Sequence, residues 1–160
     1  MVFGKRERAI QCILVVEDEP LVAFDNEHML KEAGYVVVAT VDTLEGARAV
    51  IDKEPLDLVL SDISLNGEGD GTDVARAARE RGVPVLFVTA HCIDEAPLLA
   101  LGCLAKPYSE RVLKGALEAL DRQLQGRRSR KLPPQLALYA QGSAGPSDVG
   151  TGSGPELDEG

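Results

Sequence analysis

The chain has 160 residues and a formal charge of −9, from 26 Asp and Glu against 17 Lys and Arg. That length suits one domain, or one domain with an appendage, whose core needs no staples. The acidic balance argues against a general nucleic-acid binder, and no apolar run approaches the roughly 18 residues of a membrane span. Three Cys without C-x-x-C spacing predict reduced thiols, and Met1–Arg8 lacks the apolar stretch of a secretory signal. The expectation is a soluble, cytoplasmic protein.

All of the net charge belongs to residues 1–125, which carry 22 acidic and 13 basic side chains. Residues 126–160 carry four of each, and 15 of these 35 residues are Gly, Pro or Ser. Such a segment buries too little apolar surface to offset its ordering entropy. The chain therefore divides into a short extension, 1–10, a domain, 11–125, and a tail, 126–160, expected to be mostly disordered. Within that tail, Leu132–Tyr139 has an apolar spacing suited to docking on this domain or on a partner.

In chain order, short apolar runs alternate with helix-length segments. Cys12–Val16 precedes Leu21–Ala33, which stops at Gly34; Tyr35–Ala39 precedes Thr43–Asp52, which opens on a capping Thr and stops before Pro55. Leu56–Leu60 precedes Thr72–Arg81, and Val85–Val88 precedes Cys92–Leu101; each helix stops at a Gly. Cys103–Ala105 precedes Ser109–Gln125, which opens on a Ser cap and stops at Gly126. Runs of this length, rich in β-branched residues, read as buried strands. The alternation predicts a (βα)5 fold with a doubly wound parallel sheet.

In such sheets ligands bind beyond the carboxyl ends of the strands. Those ends carry Glu17, Asp18 and Glu19 after the first run and Asp62 after the third. Thr89 follows the fourth run and Lys106 the fifth, while the second ends in Thr40 and Val41 with Asp42 beyond. Carboxylates of this kind make a Mg²⁺ site, because Mg²⁺ takes oxygen ligands. A carboxylate beside the ion can act as nucleophile, and a hydroxyl and an ammonium can hold the oxygens of a transferring phosphoryl group. Individually each residue has a plainer reading, the acids as helix caps and Lys106 as a solvated cation. The combination is what specifies the chemistry.

Four stretches carry a family resemblance: Ile13-Leu14-Val15-Val16-Glu17-Asp18-Glu19-Pro20, Asp57-Leu58-Val59-Leu60-Ser61-Asp62, Val83-Pro84-Val85-Leu86-Phe87-Val88-Thr89-Ala90 and Ala105-Lys106-Pro107-Tyr108. Over Gln11 to Gln125 the chain resembles the receiver domains of two-component response regulators, CheY-like in fold. The resemblance implies strand order 2-1-3-4-5 and a phosphoryl group accepted by Asp62 from a sensor histidine kinase or a histidine phosphotransfer protein. It implies Mg²⁺ held by Glu17, Asp18, Asp62 and the backbone carbonyl of Ser64, with Thr89 and Lys106 contacting the phosphoryl oxygens. A cis bond before Pro107 is implied too. Output would be contact with a downstream protein target, without nucleic acid or membrane, and the chain would assist its own phosphorylation without being an enzyme.

The chain also departs from the family pattern. The loop Ile63–Gly71 lacks the usual Pro and carries three Gly, which predicts a flexible rim. Ser64 and His91 occupy rim positions expected to tune water access. Cys103 replaces the usual switching aromatic, leaving Tyr108 either as a substitute or as a surface ring.

The same residues admit competing readings. Asp62, Ser64, Asn66, Gly67, Asp70 and Asp73 fit positions of a Ca²⁺-binding EF-hand loop, but that motif needs a preceding helix where Leu56–Leu60 reads as a strand. A small Mg²⁺-dependent phosphatase would need a second Asp where Ser64 stands. A degenerate receiver acting as a phosphorylation-independent scaffold is the remaining alternative.

Overall fold

The computed structural model describes residues 7–128 and 131–140. In chain order the elements are β1 (Cys12–Val16), α1 (Pro20–Glu32), β2 (Val36–Val41), α2 (Leu44–Lys53), β3 (Leu58–Ser61), α3 (Gly71–Glu80), β4 (Val85–Thr89), α4 (Ala96–Leu99), β5 (Gly102–Ala105), α5 (Glu110–Leu124) and β6 (Leu136–Leu138). Strands β1 to β5 are parallel in the order β2-β1-β3-β4-β5, with β6 antiparallel on the β5 edge. The (βα)5 architecture is as expected. Among the described residues, however, the sheet has six strands rather than five.

Strand alternation sorts the core into two layers. Ile13, Val15, Leu58, Leu60, Leu86, Val88 and Leu104 face Leu30 of α1 and Leu113, Leu117 and Leu120 of α5. Leu14, Val16, Val59, Val85, Phe87 and Cys103 face Ala47 and Ile51 of α2, Val74 and Ala78 of α3 and Ala96 of α4. Helix starts are set locally: Thr43 Oγ1 accepts from Gly46 N, Ser109 Oγ from Val112 N, and Asp70 and Asp73 form a reciprocal capping box.

Three expectations need correction. The helix predicted over Cys92–Leu101 is confined to Ala96–Leu99, because Pro97 fits only the first turn of a helix and its ring obstructs anything upstream. The thiols are not all reduced: Cys92 and Cys103 form a disulfide, and Cys12 is free. The third concerns 126–160, expected to be mostly disordered: Leu136–Leu138 adds β6 to the sheet, the docking on this domain that the apolar spacing of Leu132–Tyr139 suited. Ala105 N donates to Gln135 O at 2.9 Å and Tyr139 N to Leu101 O at 2.8 Å. Gly102 permits this approach, since a Cβ there would lie 2.7 Å from the Ala137 carbonyl oxygen. Residues 141–160 lie outside the described part.

Ala9 and Ile10, before β1, are clamped from α5. Asp121, buried in the last turn of α5, accepts from Ala9 N at 3.1 Å and from Ile10 N at 2.9 Å. No helix among the described residues is long and apolar enough to cross a membrane.

Candidate functional site

Order 2-1-3 places β1 and β3 side by side where the chain switches direction across the sheet. The crevice of a doubly wound fold opens there. Backbone bonds between strands fix the residues at that edge: Glu17 N donates to Val41 O and Asp62 N to Val16 O, both at 2.9 Å, and Lys106 N donates to Thr89 O at 2.8 Å. Residues from three strand ends are thus locked in register by the sheet.

Their side chains converge. Glu17 and Asp62 are buried, and with half-buried Asp18 they present carboxylate oxygens all within 4.8 Å of one another. Lys106 Nζ donates to Asp62 Oδ2 at 2.9 Å and to Glu17 Oε1 at 3.0 Å. The second oxygens are also engaged: Glu17 Oε2 accepts from Glu19 N at 3.1 Å, and Asp62 Oδ1 from Ile63 N at 2.6 Å and Ser64 N at 3.4 Å. Asp18 has no comparable partner among the described residues, so its oxygens remain available to a cation. The Lys106–Pro107 bond is cis.

Electrostatics follow from this packing. Burial raises the Glu17 pKa above the usual carboxylate range, and the Lys106 hydrogen bond and the Glu19 amide only partly reverse it. Burial alone would lower the Lys106 pKa, but hydrogen bonds to Asp62 and Glu17 outweigh it and hold the ammonium charged. One cation therefore serves two carboxylates, with a third beside them. Hard oxygen donors at this spacing fit Mg²⁺, which needs only a few protein carboxylates and keeps waters.

The other sequence candidates fall around this centre. Thr89 is buried at the end of β4 and its Oγ1 accepts from His91 N at 3.4 Å, so in this structure it engages its own loop. Ser64 and His91 are exposed at the rim. Cys103 is buried against the α2–α4 layer. Tyr108 is no surface ring: it packs into the α1–α5 layer and its hydroxyl donates to Asn26 Oδ1 at 2.9 Å. Two acids of the EF-hand-like loop are taken up in capping α3, Asp70 Oδ1 accepting from Thr72 N and Asp73 Oδ2 from Asp70 N.

Two residues near the site were not singled out from sequence. Asn26 is 1% exposed, on the same face of α1 as Ala23 and Leu30. Its spacing of three and four from those apolar residues was the available signal. Gly71, expected to loosen the loop, instead begins α3 pressed against the acceptor loop: its N donates to Ile63 O at 2.7 Å, and a Cβ there would lie 2.6 Å from Ile63 Cα.

A doubly wound sheet of this strand order, with an acid cluster and a lysine at its carboxyl edge, is of the flavodoxin-like, CheY-like class. The family model for the response regulator receiver domain matches residues 13–118, and the chain belongs to that family. Among solved structures it is similar to a CheY-like receiver domain protein from Methanospirillum hungatei JF-1, with 27% identity, 73% of this chain and 98% of that one covered, and a TM-score of 0.62. It is also similar to the receiver domain of a sensor histidine kinase from Pseudomonas aeruginosa PAO1, which has magnesium coordinated in its active-site cleft. There the identity is 29%, the coverage 68% and 94%, and the TM-score 0.60. A third, the amino-terminal domain of a response regulator/sensory box/GGDEF protein from Carboxydothermus hydrogenoformans, shows 29% identity, 72% and 98% coverage and a TM-score of 0.64.

Proposed function

We propose that the protein is a phosphoacceptor receiver, taking a phosphoryl group onto Asp62 from a phosphohistidine and signalling by protein contact. The observation that carries this reading is the placement of Lys106 Nζ between Asp62 Oδ2 and Glu17 Oε1, with Asp18 adjoining. A carboxylate oxygen of Asp62 attacks phosphorus, the P–N bond of the donor breaks, and the imidazole leaves with the bond's electron pair. Lys106 balances the charge gathering on the phosphoryl oxygens, and the amides of Ile63 and Ser64 hold the acceptor carboxylate in line.

Glu17, Asp18 and Asp62 would hold Mg²⁺, together with the Ser64 carbonyl. When bound, the ion supplies charge neutralisation at the acceptor and at the transferring group. Thr89 would turn from its own loop to the phosphoryl oxygens. The partners are a sensor kinase or histidine phosphotransfer protein and a downstream protein target. The chain promotes its own modification and hydrolysis and turns over no separate substrate. After α5, β6 commits Leu136–Leu138 to the domain's own sheet.

Mg²⁺-dependent labelling by acetyl phosphate tests this reading. One phosphoryl group is expected per chain, absent in Asp62→Asn; equal labelling of that variant would overturn it. Unchanged function of Asp62→Asn in a partner pull-down would favour the scaffold instead.

A further inference from the structure

The phosphoacceptor chemistry leaves one reactive pair unused. Cys103 is wholly buried on β5, across from Phe87 of β4 and three residues before Lys106. Cys92 is exposed in the loop leaving β4, three residues beyond Thr89 and next to His91. Their Cα atoms lie 6.2 Å apart and the sulfurs are bonded. Cys12 lies on β1, three strand spacings or about 14 Å away across the sheet, too far to compete for either sulfur.

The two cysteines have opposite settings. The buried one is held by the sheet. The exposed one belongs to an irregular segment that reaches helix only at Ala96. A disulfide with one sulfur on an exposed loop residue is open to thiol–disulfide exchange, unlike a bond sealed in a core. The same loop provides the His91 amide that donates to Thr89 Oγ1. Closing the bond fixes this loop to β5, and with it the His91 amide from which Thr89 Oγ1 accepts.

We propose that Cys92 and Cys103 form a reversible redox site whose closure tethers the β4–α4 loop to β5 and thereby restrains Thr89. The restraint on phosphoryl acceptance rests on the phosphoacceptor reading above; the redox site itself does not. In the closing direction, Cys92 thiolate attacks a sulfur of a low-molecular-weight disulfide and one small thiolate leaves. Cys103 thiolate then attacks the Cys92 sulfur of the mixed disulfide and the second small thiolate leaves. Two protein thiols lose two electrons and two protons in total, and the small disulfide becomes two thiols. In the opening direction a thiolate attacks the sulfur of Cys92, the exposed residue of the pair, and Cys103 departs as thiolate.

The test equilibrates the full chain in buffers of varied reduced and oxidised glutathione, quenches with acid, and counts alkylated cysteines by mass. One alkylated cysteine is expected at the oxidising end and three at the reducing end. A count fixed at one or at three across the series would overturn reversibility. Amide exchange over residues 90–95 is expected to quicken at least tenfold on reduction, and to ignore redox state in Cys92→Ser, whose exposed position tolerates the hydroxyl. Equal exchange in both states of the parent would overturn the tether.

Acetyl phosphate labelling is expected to rise at least threefold on reduction of the parent and to stay constant in Cys92→Ser. Equal labelling in both redox states would overturn the coupling to Thr89. No labelling in either state, with thiol count and exchange still switching, upholds the redox site and removes the phosphoacceptor reading.

Discussion

Gly71 supports Asp62 from behind: a Cβ on Gly71 would lie 2.9 Å from the Asp62 carbonyl carbon, with the backbone of Ile63 closer still. Both sides of this contact are backbone, so neither can turn aside. Gly71→Ala is therefore expected to destabilise the domain by about 1–3 kcal/mol through overpacking. It should also move the Asp62 carboxylate out of reach of Lys106, lowering acetyl phosphate labelling more than tenfold. Denaturant melts and labelling of the refolded variant check both; an unperturbed labelling rate would remove Gly71 from the site's support.

Lys106 neutralises two buried carboxylates at once, so its loss exposes their repulsion. Lys106→Gln is expected to cost about 2 kcal/mol without metal, below the usual loss for breaking a fully buried pair because the site is partly open to water. Mg²⁺ then substitutes part of the missing charge. Its stabilising effect on thermal unfolding should be larger in Lys106→Gln than in the parent, and should largely vanish in Asp18→Asn. Parallel melts with Mg²⁺ and with chelator compare the three proteins.

Tyr108 and Asn26 pin the loop after β5 to α1. Tyr108→Phe leaves Asn26 buried with neither its Oδ1 nor its Nδ2 bonded, the latter already lacking a partner among the protein atoms. A loss of about 1–3 kcal/mol is expected. The phenol's pKa is pushed up to about 12 by burial, against smaller opposing effects of Asn26 and Lys106. A raised folded-state pKa means that the contribution is complete below pH 10 and is lost as pH climbs through 10 to 12. Tyrosinate absorbance should show a component titrating near pH 12 that disappears in Tyr108→Phe.

Gly102 admits β6 to the sheet edge. Gly102→Ala is expected to displace the Ala137 carbonyl and to release the amides of Ala105 and Tyr139 from their cross-strand bonds. Hydrogen exchange at those two amides should accelerate by an order of magnitude or more, while amides of the inner strands β1 and β3 keep their protection. Protection retained at Tyr139 would show that β6 tolerates the methyl.

Local signals sufficed for much of this. The apolar runs, the Gly stops and the Ser and Thr caps specify their elements through interactions among near neighbours in the chain. Strand-end position alone singled out Glu17, Asp18, Asp62, Thr89 and Lys106, because a parallel sheet delivers all its carboxyl ends to one edge. What is set by close approach between distant segments was not legible. Gly71 looked like a loosening residue, yet it is a packing surface for the Asp62 backbone. Asn26 and Tyr108, 82 residues apart, meet only after α1 and α5 cover the same layer.

Charge and composition divide in the same way. The sequence by itself determined the acidic domain, its alternating elements and the excess of carboxylates at one edge, since these follow from short-range pattern and strand polarity. Only the tertiary structure decided that Leu136–Leu138 completes the sheet, that Cys92 reaches Cys103, and that one lysine is shared between Glu17 and Asp62. Each of those depends on which backbone passes within a few ångströms of which, and chain spacing does not encode that.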